Sequence, residues 1–370
     1  MITEKTGRQV ENAAENPARK IKVLIVDDAS FMRKAIFKML EGDSQIEVVG
    51  TANNGQEGLE QIHKLKPDVV TLDIDMPIMD GITSIRHIMI KSPVPVVVLS
   101  SMFSDGAITF DALRLGVVDF IPKPSGAVST DIDRSRQHLI DRIKLASEVN
   151  LGNIRRVRLP QWNTDQDPAD YDYQPMDYLL AVGTTLSGPN TIIRLLANLP
   201  PNLPTAVVVV VEMAAKVLEA FVERFNMLVP WEVVVAKDGM PLKPGTCYIS
   251  SCLESIRVRE LADGTICLQK MENSSEPLNQ LFMSAADVFQ RNTIGVLLTG
   301  IGTDGADGFS HIRELNGVTM AQDTKSCVFP NLTDNAIKRG TVSNILNESE
   351  LPQAIISIMA GQRSIDDCCM

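Results

Sequence analysis

Five residues in the first third of the chain carry groups that together can move a phosphoryl group. Asp27 and Asp28 close the apolar run KVLIV, Asp73 closes VVTL, Ser100 closes VPVVVL, and Lys123 follows VVDFIP. Clustered carboxylates repel one another and favour a hard divalent cation with oxygen ligands, typically Mg²⁺. Such an ion offsets the charge of an incoming phosphoryl group while the Asp73 carboxylate attacks in line to give an aspartyl phosphate. Lys123 and Ser100 are then the groups that hold the phosphoryl oxygens. One aspartate after a strand can equally be a helix cap; five polar residues at four strand ends make the shared cleft the better reading.

The elements that must position these groups follow from the pattern around them. From Ile21 onward, short apolar runs alternate with amphipathic stretches: KVLIV, FMRKAIFKML, IEVVGTA, GLEQIHKL, DVVTLDI, ITSIRHIMI, VPVVVLS and VVDFIPK. Strand and helix repeats of this period give a parallel α/β sheet with helices on both faces, and ligands gather at the carboxyl ends of such strands. The first domain is expected over 21–143, after a tail at 1–20. Residues 144–175 include RRVRLP and QWNTDQDPADYDYQP, polar and proline-punctuated, and read as a linker. Strand signals restart at MDYLLAVG and recur at TAVVVVVE, WEVVVA, TCYISS, IGVLLTG and GVTMAQ. A second doubly wound α/β domain is therefore expected over 176–362, with a tail at 363–370. Within it, CYISSCLESIRVREL and TICLQKME flank Ala-Asp-Gly, which predicts an inserted antiparallel hairpin.

Bulk properties narrow the function classes. A chain of 370 residues is long enough for two cores, and 44% hydrophobic with 22% charged residues is ordinary globular composition. A net charge of −11 without a long Lys/Arg run argues against nucleic acid as a partner. No apolar stretch approaches the roughly 20 residues of a membrane span, and the N-terminal segment has no signal-peptide core, so a cytoplasmic protein without membrane insertion is expected. Cys247, Cys252, Cys267, Cys327, Cys368 and Cys369 show no paired metal-ligand spacing and read as reduced structural thiols, the last two in a frayed tail.

The segments KVLIVDDAS, TLDIDMPIMDG, VVVLSS and DFIPKP resemble the four signature segments of response-regulator receiver domains, over the whole first domain. The resemblance implies a flavodoxin-like five-stranded parallel sheet and phosphorylation at Asp73 by a histidine kinase. It implies metal binding by Asp28, Asp73 and the backbone carbonyl of Asp75, with Asp27 helping through water. Phe120 stands where the family has its switch aromatic; simple core packing is the competing reading of that residue.

In the second half, LLAVGTTLSGPN has the strand, tight turn and helix start that present a nucleophile at a helix N-terminus, a turn suited to acyl transfer. Glu212 ends VVVVVE, and Asp304 lies in the turn of GVLLTGIGTDGADG. These segments and their spacing resemble the effector domain of chemotaxis protein-glutamate methylesterases, the CheB family, over most of 178–345. The family pairs a receiver with a hydrolase that removes methyl esters from receptor glutamates and deamidates certain glutamines.

The departures from the family pattern fall on the chemistry. Where the family has Ser-Thr-Gly-Gly, this chain reads Thr185-Leu186-Ser187-Gly188, and where it has Gln-His-Met-Pro, this chain reads Val211-Glu212-Met213-Ala214. Of the implied triad only Asp304 is retained. Ester hydrolysis needs a base that works near neutrality, which imidazole supplies and a carboxylate facing a second carboxylate supplies poorly. His63, His87 and His138 belong to the first domain, His311 lies on an expected surface helix, and Ser187 has no base in any motif. Asp304 has a competing structural reading, as the cap of the helix that follows it.

Two functions are consistent with this sequence. The first is a phosphorylation-switched chemosensory regulator without methylesterase activity, acting through contacts with chemoreceptors or with an active methylesterase homologue. The second is a residual or active protein-glutamate methylesterase/protein-glutamine glutaminase acting on methyl-accepting chemotaxis receptors.

Overall fold

The computed structural model describes residues 19–100, 106–123, 129–154, 175–271 and 275–361. Most of the expected linker, nearly all of both tails, and Cys368 and Cys369 lie outside the described residues.

The first half is built from β1 (Ile21–Val26), α1 (Ser30–Leu40), β2 (Ile46–Ala52), α2 (Gly55–Leu65), β3 (Val69–Leu72), α3 (Gly81–Lys91), β4 (Val96–Ser100), α4 (Gly106–Leu115), β5 (Asp119–Pro122) and α5 (Ser129–Ser147). The strands pair in parallel in the order β2-β1-β3-β4-β5. Every residue of β3 and β4 is buried, as expected of apolar strands covered by helices on both faces. Helix starts are fixed by side chains: Asn54 accepts the Glu57 amide to open α2, and Asp80 accepts the Thr83 amide to open α3. Helix α5 continues to Ser147, beyond the expected edge at 143.

The second half contains β6 (Tyr178–Gly183), α6 (Gly188–Ala197), β7 (Thr205–Val211), α7 (Ala215–Asn226), β8 (Glu232–Val235), β9 (Thr246–Ser251), β10 (Ser255–Glu260), β11 (Ile266–Met271), α8 (Pro277–Phe289), β12 (Thr293–Leu297), α9 (Ala306–Glu314), β13 (Val318–Gln322), α10 (Asn331–Lys338), β14 (Asn344–Leu346) and α11 (Leu351–Met359). Seven parallel strands run in the order β14-β13-β12-β6-β7-β9-β8, and β10 and β11 form a separate antiparallel pair. The α/β architecture, the parallel receiver-type sheet and the inserted hairpin are as the sequence predicts. One boundary differs. The run CYISS belongs to the seven-stranded sheet, because all of β9 is buried and pairs with β7 and β8, so the hairpin begins only at Ser255. Strand β14, three residues long, gave no periodic signal to read.

The two halves share apolar cores. Leu186, Val328 and Phe329 of the second half are buried in one cluster with Leu139, Ile140 and Ile143 of α5. Conversely, Phe110 and Leu113 of α4 are buried in a cluster with Phe221 and Phe225 of α7.

Candidate functional site

Parallel register brings the first set of residues together. Val26 is opposite Leu72 at the ends of β1 and β3, so Asp27 and Asp73 emerge side by side. Ser100 is opposite Pro122 at the ends of β4 and β5, and the Lys123 amide donates to the Ser100 carbonyl at 3.0 Å. Lys123 Nζ lies 2.9 Å from Asp27 Oδ2 and 2.7 Å from Asp73 Oδ2. Asp27, Asp73 and Ser100 are buried, whereas Asp28 and Asp75 are exposed.

Burial pushes the Asp73 carboxyl above the usual carboxylate range, against the opposing pull of Lys123. Burial would lower the Lys123 ammonium, but its bonds to Asp27 and Asp73 outweigh that and raise it. Lys123 is thus held charged between two acids.

The acidic cluster suits a divalent cation. One carboxylate oxygen from each of Asp27, Asp28 and Asp73 lies within 4.8 Å of the others. Asp27 Oδ2 is buried and, although in ion-pair range of Lys123, accepts no hydrogen bond of regular geometry. A buried carboxylate lone pair left open in this way, beside two further carboxylates, is a donor set for a hard cation such as Mg²⁺. Close approach at the site is enforced by Gly81, where a Cβ would meet the Asp73 carbonyl oxygen at 2.4 Å and Ile74 Cα at 2.7 Å.

Phe120 is half-buried and packs against both the receiver-side core and the cluster formed with the second half. Phe120 thus packs in a core that spans both halves.

The second set of residues sits at the switch point of the seven-stranded sheet, where β6 lies between β7 and β12 and the chain leaves in both directions. Their geometry does not form a relay. Thr185 Oγ1 accepts from the Ile301 amide at 2.7 Å and donates to the Ile301 carbonyl at 3.0 Å. Glu212 accepts a hydrogen bond from Arg142 of α5. Asp304 accepts from the Leu278 and Asn279 amides at 2.7 and 3.0 Å. No hydrogen bond or ion pair among the described residues joins Thr185, Glu212 and Asp304 to one another.

Asp304 does cap a helix, but not the expected one. It closes the N-terminus of α8, which precedes it by some 26 residues, while α9 is preceded by Gly305, which has no side chain to cap it. The Leu278 and Asn279 amides at the start of α8 face the turn after β12, where Asp304 accepts from both. Burial raises the Asp304 carboxyl, and the three backbone amides around it oppose that shift.

The turn at Thr185 carries a further departure. Ser187 has φ of 63°, in the left-handed region where the family resemblance has glycine. His311 pairs with Asp287 at 2.7 Å on the surface of α9, away from these residues. Cys247, Cys252, Cys267 and Cys327 are free thiols, and burial pushes Cys252 and Cys327 up to about 12, which disfavours their thiolates.

Sequence reasoning missed Asp119, His138 and Arg142. Arg142 Nε lies 3.3 Å from Asp119 Oδ2 while its Nη2 engages Glu212. Burial pushes the Asp119 carboxyl up to about 6, with Arg142 opposing and Glu212 reinforcing the shift. His138, one turn before Arg142, is lowered by burial and by the Arg142 charge. The run QHLIDRIK carries no signal for this, since the partners belong to different halves of the chain.

Comparisons with known proteins agree with this architecture. Residues 23–130 match the family model for the response regulator receiver domain, and residues 180–355 match that for the CheB methylesterase. A protein-glutamate methylesterase/protein-glutamine glutaminase of Oleidesulfovibrio alaskensis is 34% identical over 365 residues, covering 91% of this chain and 99% of the relative. One from Geobacillus kaustophilus is 35% identical, covering 92% and 99%, and one from Pyrococcus abyssi is 33% identical, covering 91% and 93%. Among solved structures, the response regulator domain of Thermotoga maritima CheB is 42% identical, covering 36% of this chain and 99% of that one with a TM-score of 0.33. The catalytic domain of Thermotoga maritima CheB methylesterase is 25% identical, covering 49% and 98% with a TM-score of 0.47. No helix among the described residues is long and apolar enough to cross a membrane. With a receiver and a methylesterase domain in one chain, and relatives matched over nine-tenths of its length, the chain belongs to the CheB family of protein-glutamate methylesterase/protein-glutamine glutaminases.

Proposed function

We propose that this chain is a phosphorylation-switched regulator of a chemosensory pathway whose output is contact rather than ester hydrolysis. Asp73 accepts a phosphoryl group from a histidine kinase, with Asp27, Asp28, Asp73 and the Asp75 carbonyl holding the Mg²⁺ that offsets the phosphoryl charge. Ser100 and Lys123 bind the phosphoryl oxygens, and Phe120 relays the change to the docked second half. The partners are chemoreceptors or an active methylesterase homologue in the cytoplasm.

The observation that carries this reading is the engagement of each triad position elsewhere: Thr185 with Ile301, Glu212 with Arg142, and Asp304 with the first turn of α8. A hydroxyl becomes a nucleophile when a base takes its proton. Among the described residues, Thr185 Oγ1 bonds to the Ile301 amide and carbonyl.

The second reading is an active methylesterase/glutaminase acting on methyl-accepting chemotaxis receptors, and the comparisons weigh toward it. The relatives above carry that activity in their names and match this chain nearly end to end. Methanol release from methylated receptor, with and without acetyl phosphate and Mg²⁺, decides between the two. Release at background level beside a phosphorylated Asp73 supports the contact reading. Release near the rate of an active homologue, lost in Thr185→Ala, overturns it.

A further inference from the structure

Arg33 stands in the first turn of α1, as the fourth residue of the helix. A cation at that place works against the helix dipole, and the turn has no acidic side chain to offset it. Its partners are two backbone oxygens: Arg33 Nη1 donates to the Asp27 carbonyl at 2.6 Å and to the Asp28 carbonyl at 2.9 Å. Those carbonyls belong to the two peptide planes that flank Asp28. The second plane is also held at its other end, where the Ala29 amide donates to Asp27 Oδ1 at 2.8 Å. One guanidinium nitrogen and one carboxylate oxygen therefore fix the backbone on both sides of Asp28.

The three acids of the cluster do not depend on this equally. Asp27 and Asp73 are buried, and both are tied to Lys123. Asp28 is exposed, so the direction of its carboxylate follows from the backbone that carries it. Carboxylates on successive residues repel one another, and a turn with free peptide planes relaxes by rotating the exposed one away. In this turn the planes are not free, and a carboxylate oxygen of Asp28 stays within 4.8 Å of those of Asp27 and Asp73.

We infer that Arg33 is a positioning residue for the cation site: by clamping the carbonyls of Asp27 and Asp28 it keeps the exposed Asp28 carboxylate turned toward Asp27 and Asp73. The inference rests on the reading above in which these acids hold Mg²⁺. Because the bonds of Arg33 go to the backbone, its effect falls on the cost of gathering three like charges around one ion. Affinity for the cation then depends on Arg33, while phosphoryl transfer with the ion in place does not.

Titration calorimetry of Mg²⁺ into the unphosphorylated full chain reads this directly. Arg33→Met is expected to raise the Mg²⁺ dissociation constant about tenfold, and Arg33→Lys, which keeps a donor and the charge, to recover part of the loss. Lys34→Met removes an exposed charge one residue further along α1 and is expected to leave the constant within about twofold. With acetyl phosphate, the Mg²⁺ concentration for half-maximal phosphorylation of Asp73 should move with the dissociation constant in Arg33→Met, while the rate at saturating Mg²⁺ stays within about twofold of the unaltered chain.

An unchanged or tighter constant in Arg33→Met, even with a lowered melting temperature, overturns the inference and leaves the Mg²⁺ reading standing, as does an equal weakening in Lys34→Met. An unaltered chain that binds no Mg²⁺ sinks both. Arg33→Gln, which keeps an N–H donor without the charge, takes the place of Arg33→Met if that variant does not fold, and a constant equal to that of the unaltered chain is then expected only if its amide reaches both carbonyls; a constant unchanged in Arg33→Ala as well overturns the inference.

Discussion

Phe110 of the receiver stacks on Phe221 of the second half, with ring centroids 5.8 Å apart and planes 25° from parallel. Phe225 completes the cluster at 5.9 Å from Phe110. Aromatic contacts of this kind contribute beyond their buried area, and Phe110 is fully buried. Phe110→Ala is expected to destabilise the chain by about 3–5 kcal/mol in urea unfolding. A loss under 1 kcal/mol would mean that the rings are not packed in solution.

Gly81 lies where the backbone of the Asp73 loop leaves no room for a side chain. The atoms a Cβ would meet are backbone atoms, which cannot swing aside. Gly81→Ala should cost about 1–3 kcal/mol and slow phosphorylation of Asp73 by acetyl phosphate. Stability and phosphorylation both unchanged would count against the tight loop.

Asp119 gives the protein a pH signature. Its carboxyl is raised to about 6 in the fold, so between the ordinary carboxylate range and that value the folded chain holds a proton that the unfolded chain has released. The resulting stability is fully present at low pH and is lost as pH rises through about 6. The groups facing Asp119 are Arg142 from α5 and Glu212 from the end of β7. The melting-temperature difference between the unaltered chain and Asp119→Asn is expected to shrink as pH rises from 4 to about 6.5 and then stay level. The attraction of Arg142, which opposes the shift, is already contained in the value of about 6. A difference that does not vary with pH would refute the raised carboxyl.

Asp304→Ala removes two hydrogen bonds at the start of α8 and should cost about 1–2 kcal/mol, read by thermal unfolding. Asp304→Asn keeps an acceptor and should recover part of that loss. If Asp304→Ala is as stable as the parent chain, the capping role is wrong.

The acidic cleft of the first half was legible in the sequence because each of its residues follows an apolar run, and parallel pairing places the ends of β1, β3, β4 and β5 side by side. Period and position together were enough. The second cleft was legible in its parts but not in its connections. Thr185, Glu212 and Asp304 lie after strands as expected, yet the partner of each comes from a segment that strand order does not specify: the Ile301 backbone, α5 of the other half, and α8. Asp304 and the α8 amides are some 26 residues apart and meet only through tertiary packing. The docking of the halves was illegible for the same reason, since Phe110, Leu186 and Phe329 each read as core of their own domain.

Leu186, next in sequence to Thr185, lies in the core that α5 builds for the receiver. Anything that binds beside Thr185 must therefore compete with part of this same polypeptide, tethered and always present. Its apparent affinity is the intrinsic one multiplied by the fraction of molecules in which α5 has withdrawn. A ligand of the cleft and the receiver are rivals, and by reciprocity any ligand that wins the site also drives the receiver off it.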